Sequence, residues 1–141
     1  MSTRRDDVDP ASMTSLRERR AGAQFSVSVR GDPAGRWTVL AVEGEMDLQA
    51  FPLVPDLVDK NAPRMVFDLS RVSFMDAGGL GALVEAQRRA RDAGGYVRLV
   101  APSRSASRVL RLSACERYFL TFDTVWDAVA APIGADPQSA Y

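Results

Sequence analysis

The chain has 141 residues, of which 46% are hydrophobic, and this is enough for the packed core of one domain. Its 18 basic and 18 acidic side chains cancel, so no net field favours a polyanion such as DNA or an anionic membrane surface. There is no histidine and one cysteine, Cys115, which excludes His/Cys zinc sites, histidine-based catalytic triads and an internal disulfide.

The two ends of the chain differ in composition from its middle. Residues 1–23 are polar and charged without a sustained apolar period, which indicates a disordered tail. They contain no secretory signal, and no run of 18 apolar residues occurs anywhere, so we expect a soluble cytoplasmic protein. Residues 132–141 contain Gly, Pro, Gln and Ser and predict a second flexible tail. The single domain is therefore expected over residues 24–131.

The first half of this domain predicts two strands and a helix. Residues 25–30 alternate between apolar and polar side chains, which is typical of an edge strand with one wet face. Residues 37–44 are apolar on both faces and predict a strand that is covered on both sides. Asp47 can cap a helix that runs to about Val58, although Pro55 predicts that this helix is short or irregular.

The second half alternates strands with helices. Residues 65–70 are β-branched and aromatic and predict the central strand, and after Asp76 the apolar period lengthens to that of a helix. Gly94 and Gly95 end this helix as a C-cap would. The further predicted elements are a strand over 96–102, a helix over 103–113, a strand over 119–122 and a helix opened by a capping box at Thr124. The order predicts an α/β domain with a mixed, mostly parallel sheet of four to five strands and helices packed against it.

The sequence DAGGLG, residues 76–81, joins the central strand to its helix. Glycines at such a turn can present backbone N–H groups to a phosphate, but the spacing matches neither of the two common nucleotide-binding motifs. Two interpretations remain open at this point, a nucleotide site and glycines that only let the helix pack close to the sheet.

Four carboxylates are candidates for an acid pair or a magnesium site: Glu45, Asp47, Asp68 and Asp76. A helix cap explains Asp47 and Asp76 equally well. Without a histidine, a nucleophile elbow or metal-ligand spacing, the pattern does not indicate an enzyme. We expect no cofactor and no metal ion.

The run VFDLSRVSFMDAGGLGALVEAQRRARDAGGYVRLV, residues 66–100, resembles the signature of STAS domains, in particular of bacterial anti-sigma factor antagonists. The family pattern has the form D-L-S-x-V-x-F-[MI]-D-S-S-G-L followed by a helix. The sequence VEGEMDL, residues 42–48, is similar to the family's G-E-[LI]-D element. The resemblance covers about residues 24–131 and implies a STAS-like single domain.

The resemblance implies a partner and a switch. Family members bind an anti-sigma factor that is also a GHKL-type serine kinase, and so free a sigma factor by partner switching. The kinase phosphorylates the second serine of D-S-S-G-L, which breaks the complex. In this chain the aspartate is Asp76, the first serine position holds Ala77 and the acceptor position holds Gly78. The implied partner-binding residues are Glu45, Asp47, Asp76, Ala77, Gly78, Gly79, Leu80 and Gly81, of which Leu80 is expected in the core.

The missing hydroxyl at residue 78 predicts an anti-sigma factor antagonist, and thus a regulator of transcription, that is not switched off by phosphorylation there. Ser73 and Ser103 are alternative acceptors, with Ser105 and Ser107 in the same loop as Ser103. Two other hypotheses remain open: a non-switching STAS module of a scaffold or sensory complex, and a nucleotide-binding STAS domain.

Overall fold

The structure, a computed structural model, describes residues 25–32, 35–48, 50–60 and 64–137. The predicted tail over 1–23 lies outside the described residues, as do residues 138–141. Across the described ranges, no helix combines the length and the hydropathy that a membrane crossing requires. In chain order the elements are β1 (Phe25–Gly31), β2 (Thr38–Met46), α1 (Ala50–Lys60), β3 (Arg64–Met75), α2 (Ala77–Asp92), β4 (Tyr96–Val100), α3 (Arg104–Leu112), a 3₁₀ turn (Glu116–Tyr118), β5 (Leu120–Phe122) and α4 (Val125–Ala130).

The five strands form one sheet in the order β1-β2-β3-β4-β5. The edge strand β1 is antiparallel to β2, and all later neighbours are parallel. Because the parallel strands follow one another in a single direction, right-handed crossovers bring α1, α2 and α3 to the same face of the sheet. The predicted fold class, a mixed and mostly parallel sheet in an α/β domain, is confirmed.

The alternating side chains of the strands build a core on each face of the sheet. The larger core joins Met65 and Phe67 of β3 to the apolar residues of α1, α2 and α3. The neighbouring side chain, Val66, points to the opposite face and packs with Trp37 and with Val125 of α4. The central strand is therefore apolar on both sides because helices cover both sides of it.

The predicted helix caps are present at both ends of α2 and at the start of the last helix. The backbone of Gly94 has a φ of +90°, and the N–H of Gly95 donates to the carbonyl of Ala90 at 2.7 Å, as in a Schellman motif. The hydroxyl of Thr124 accepts a hydrogen bond from the N–H of Asp127 at 3.1 Å.

The central strand is longer than the sequence predicts, and helix α1 begins at Ala50 rather than directly after the predicted cap Asp47. The central strand β3 continues five residues past Ser70, to Met75, because its last part still pairs with β2. Helix α1 runs for eleven residues through Pro55, although that proline predicted a short or irregular helix. Leu57 and Val58, which follow the proline, are both buried in the larger core, and this packing holds the second half of the helix.

The side chain of Gln87 connects helix α2 to strand β4 through a hydrogen bond. It is fully buried, its Oε1 accepts from the N–H of Val97 at 2.7 Å, and its Nε2 donates to the carbonyl of Tyr118 at 2.7 Å. On the other side of the helix, Arg89 forms ion pairs with Asp56 and Asp59 of α1. These contacts fix the position of α2, whose first turn contains the glycine pair.

The segment after α4 is held to the sheet at Asp136, although the sequence predicts a flexible tail from Pro132. Asp136 is 3% exposed and pairs with the fully buried Arg98 of β4 at 2.7 Å. The same guanidinium group donates to three carbonyls at the end of α4 and lies 4.2 Å from the ring centroid of Trp37. A buried charge requires a partner, and only the folded sheet brings these residues together.

Candidate partner-binding site

The carboxyl ends of β2 and β3 lie side by side and form the edge at which the predicted site residues meet. Met46 and Met75 are register partners at the ends of these two strands. The N–H of Asp76 donates to the carbonyl of Met46 at 3.3 Å, which ties the start of α2 to the end of β2. In an open α/β sheet this edge is the expected location of a functional site.

Asp76 is the N-cap of helix α2, as the sequence predicts. Its Oδ1 accepts hydrogen bonds from the N–H groups of Gly78 at 2.9 Å and Gly79 at 3.1 Å. Its carbonyl accepts the first bond of the helix, from the N–H of Leu80 at 3.0 Å. The carboxylate therefore satisfies donors that a helix start would otherwise leave unpaired.

The glycine pair allows a close approach between the first turn of α2 and the backbone that follows β2. A β-carbon on Gly78 would lie 2.6 Å from the nitrogen and 2.7 Å from the Cα of Leu48. A β-carbon on Gly79 would collide with the carbonyl group of Met46. Since the obstacles are backbone atoms, they cannot turn aside as a flexible side chain can. Of the two interpretations of these glycines, close packing is the one that this geometry favours.

The structure brings the predicted contact residues to one place but buries some of them. Gly79 and Leu80 are buried, Leu80 to 6% exposure, so both contribute to the interior. Glu45 and Ala77 are exposed, and Leu48 beside them is 70% exposed. The remaining predicted residues are half-buried: Asp47, Asp76, Gly78 and Gly81. The accessible part of the site is thus small and combines carboxylates with apolar groups.

The alternative phosphate acceptors differ in how their hydroxyl groups are used. Ser73 is exposed, and its hydroxyl donates to the carbonyl of Gly44 at 3.3 Å. Ser103 is half-buried and caps helix α3 by accepting from the N–H of Ala106 at 3.2 Å. The hydroxyl of Ser107 donates to the carbonyl of Pro102 at 3.3 Å.

A groove beside the start of α2 was not predicted from the sequence. Strand β4 pairs with β3 only over residues 64–68 of β3, so the last part of β3 extends beyond its neighbour. There Ser105 takes the place of a strand partner: its Oγ accepts from the N–H of Met75 at 3.0 Å and donates to the same residue's carbonyl at 3.2 Å. An open groove of about 720 Å³ lies between this end of β3 and helix α3. The sequence indicates this groove only weakly, because the groove depends on the extra length of β3, and that length depends on pairing with β2.

The comparison with known families agrees with this architecture. A family model described as "STAS domain" matches residues 26–128, which is most of the chain. The chain belongs to the STAS domain family. The matched residues include all five strands except the first residue of β1, as well as the turn from Asp76 to Gly81.

Solved structures of other proteins share the fold at low sequence identity. An anti-sigma factor antagonist from Mycobacterium paratuberculosis is 24% identical, with a TM-score of 0.63 over 74% of this chain and 91% of that one. The Bacillus cell fate determinant SpoIIAA in its phosphorylated form is 19% identical, with a TM-score of 0.57 over 73% and 96%. RsbS of Moorella thermoacetica is 18% identical, with a TM-score of 0.60 over 73% and 91%. These similarities establish the fold that the STAS resemblance implied.

Proposed function

We propose that this protein is an anti-sigma factor antagonist. It binds an anti-sigma factor of the GHKL serine kinase type and frees a sigma factor by partner switching. Membership of the STAS family and the fold shared with anti-sigma factor antagonists support the proposal. We further propose that it is not inactivated by phosphorylation at residue 78, because Gly78 carries no hydroxyl group.

The packing of Gly78 carries the regulatory part of this proposal. Phosphorylation adds about 1.5 to 2 negative charges and requires an oxygen atom on the modified side chain. Gly78 offers no such oxygen, and the backbone of Leu48 fills the space that a β-carbon would need. The kinase therefore meets a surface formed by Ala77, Leu48 and Glu45 that it can bind but cannot modify at residue 78.

The proposal is tested with the purified full chain and each GHKL-type anti-sigma factor of the source organism. We expect one of them to bind the chain, to release its sigma factor, and to keep the chain bound after incubation with Mg-ATP. Mass spectrometry should detect no phosphate on residues 73–107, a range that includes the alternative serines. ATP-dependent release together with phosphate on this chain would overturn the regulatory part, and a lack of binding to every such factor would overturn the function.

A second candidate function is a non-switching STAS module within a larger sensory assembly. The absence of a hydroxyl group at residue 78 favours it, because such a module has no need of a phosphate switch. The two functions differ in the complex that they form. A large assembly that contains this chain and leaves every sigma factor bound to its anti-sigma factor would support the second candidate.

A further inference from the structure

The groove between the end of β3 and helix α3 has an apolar wall that opens to solvent. Phe74 lines it and is 47% exposed, and the partly buried Val109 of α3 contributes to the opposite wall. Ala77, an exposed residue of the proposed contact site, lines the same groove. A partner that contacts the start of α2 therefore has this groove directly beside it. An aromatic side chain next to a polar rim is a frequent anchor in protein interfaces.

The groove also contains two exposed arginines. Arg104 and Arg108 line it, are exposed, and stand one helical turn apart on the same face of α3. None of the ion pairs among the residues that the structure describes involves either of them. By contrast, Arg88 and Arg89 of α2 are paired with carboxylates of their own chain.

The position of Arg104 is unfavourable for the helix itself. It is the first residue of α3, where the partial positive charge of the helix N-terminus opposes a cation. A local rule that is broken at an exposed position beside a candidate site points to a role outside folding. Among the residues that the structure describes, Asp76 supplies the one carboxylate that lines the groove, and its Oδ1 already accepts from the N–H groups of Gly78 and Gly79. The groove thus presents positive charge to a binding partner.

We propose that this groove receives an acidic segment of the partner protein, with carboxylates paired to Arg104 and Arg108 and an apolar side chain against Phe74. The inference deepens the proposed function, on which it rests for the identity of the partner. A nucleic acid fits less well, because two arginines neutralise few phosphates, the chain has no net charge and the groove wall is apolar. A mixed acidic and apolar peptide matches both features of the groove.

The first experiment measures fluorescence anisotropy of a labelled peptide of Leu and Glu residues on the full chain at low salt. A peptide in which Gln replaces every Glu is the control ligand. We expect the acidic peptide to bind and the R104Q/R108Q variant to bind it roughly tenfold more weakly, with a smaller loss for F74A. R111Q is the matched control variant, because Arg111 is an exposed arginine of the same helix that does not line the groove.

Specific outcomes contradict the groove proposal. Equal affinity for the acidic and the Gln peptide would show that charge is not recognised. An equal loss in R111Q and R104Q/R108Q would show a diffuse electrostatic effect, and tighter binding of a DNA duplex than of the acidic peptide would indicate a different ligand class. Circular dichroism and the melting temperature establish that the variants are folded, which is expected because both arginines are exposed.

The second experiment separates this inference from the proposed function by using the anti-sigma factor that binds the full chain. R104Q/R108Q should weaken that complex roughly tenfold and reduce its dependence on salt concentration, while R111Q leaves both nearly unchanged. If the anti-sigma factor binds wild type and R104Q/R108Q equally, the groove proposal fails and the proposed function stands. If no anti-sigma factor binds but the acidic peptide still requires both arginines, the proposed function fails and the groove remains an acidic-segment site.

Discussion

The Cα of Gly78 approaches the backbone of Leu48 so closely that a β-carbon on residue 78 would lie 2.6 Å from the Leu48 nitrogen. This relationship connects packing to regulation, because one small residue both permits the approach and removes the hydroxyl group that a kinase would need. A serine at this position would have to displace the turn after β2 before its oxygen could be presented. The backbone of Leu48 therefore disfavours a serine at residue 78, in addition to the missing hydroxyl group of glycine.

Gly78→Ala and Gly78→Ser should both destabilise the protein by about 1 to 3 kcal/mol, because either β-carbon must push against backbone atoms. The free energy of unfolding, measured by urea denaturation, checks this. Gly31→Ala is the control: no atom lies within 4 Å of a β-carbon there, and we expect a change within about 0.5 kcal/mol. A Gly78→Ser variant as stable as wild type would show that the turn moves aside easily.

Gln87→Leu should cost about 1 to 3 kcal/mol of stability. Leucine fills a similar volume but leaves the N–H of Val97 and the carbonyl of Tyr118 without the partners that Gln87 supplies. Urea denaturation measures the loss, and amide hydrogen exchange at Val97 should accelerate. Unchanged exchange at Val97 would mean that this amide has another partner.

Asp136→Asn should destabilise the protein by about 3 kcal/mol, because it leaves the guanidinium of Arg98 buried without its counter-charge. Thermal or urea unfolding measures the change. Arg88→Gln is the control for a solvent-exposed ion pair and should cost at most about 1 kcal/mol. Similar small losses of stability in both variants would contradict the interpretation that the ion pair of Asp136 with Arg98 holds this segment to the sheet.

The contribution of Glu85 should depend on pH. Hydrogen bonds from Arg88, opposed by burial and aided by Arg89, lower the pKa of Glu85 from 4.5 to about 2. Because the folded-state pKa is depressed, the stabilisation is present above about pH 4.5 and is lost as the pH falls toward 2. Glu85→Gln should thus lower stability near pH 7 by about 0.5 to 1 kcal/mol, with a difference from wild type that shrinks below pH 4.5. A difference that stays constant between pH 7 and pH 2 would contradict this assignment.

Much of the fold follows from local patterns. The edge strand over residues 25–30, the apolar central strand and the caps at Asp76 and Thr124 depend on neighbours within a few residues, and the structure confirms them. The wet face predicted for the edge strand is wrong at Ser26, which is 7% exposed. The end of β3 could not be predicted from local patterns, because residues 71–75 remain a strand only through their pairing with β2. The ion pair between Arg98 and Asp136 joins residues 38 positions apart, and no periodicity of the sequence links positions so far from each other.

Some features of the candidate site could likewise be predicted from the sequence, and others depend on the fold. The glycine turn after the central strand and the missing hydroxyl group at residue 78 were predictable without the fold, because both are properties of residue types in a short motif. The fold was needed to show that Leu48 closes the space above Gly78, that Gly79 is buried, and that Arg104 and Arg108, which form no ion pair among the described residues, line the same groove as Phe74. The reason is physical: exposure and close approach depend on which distant segments pack together, and a linear pattern contains no distances between them.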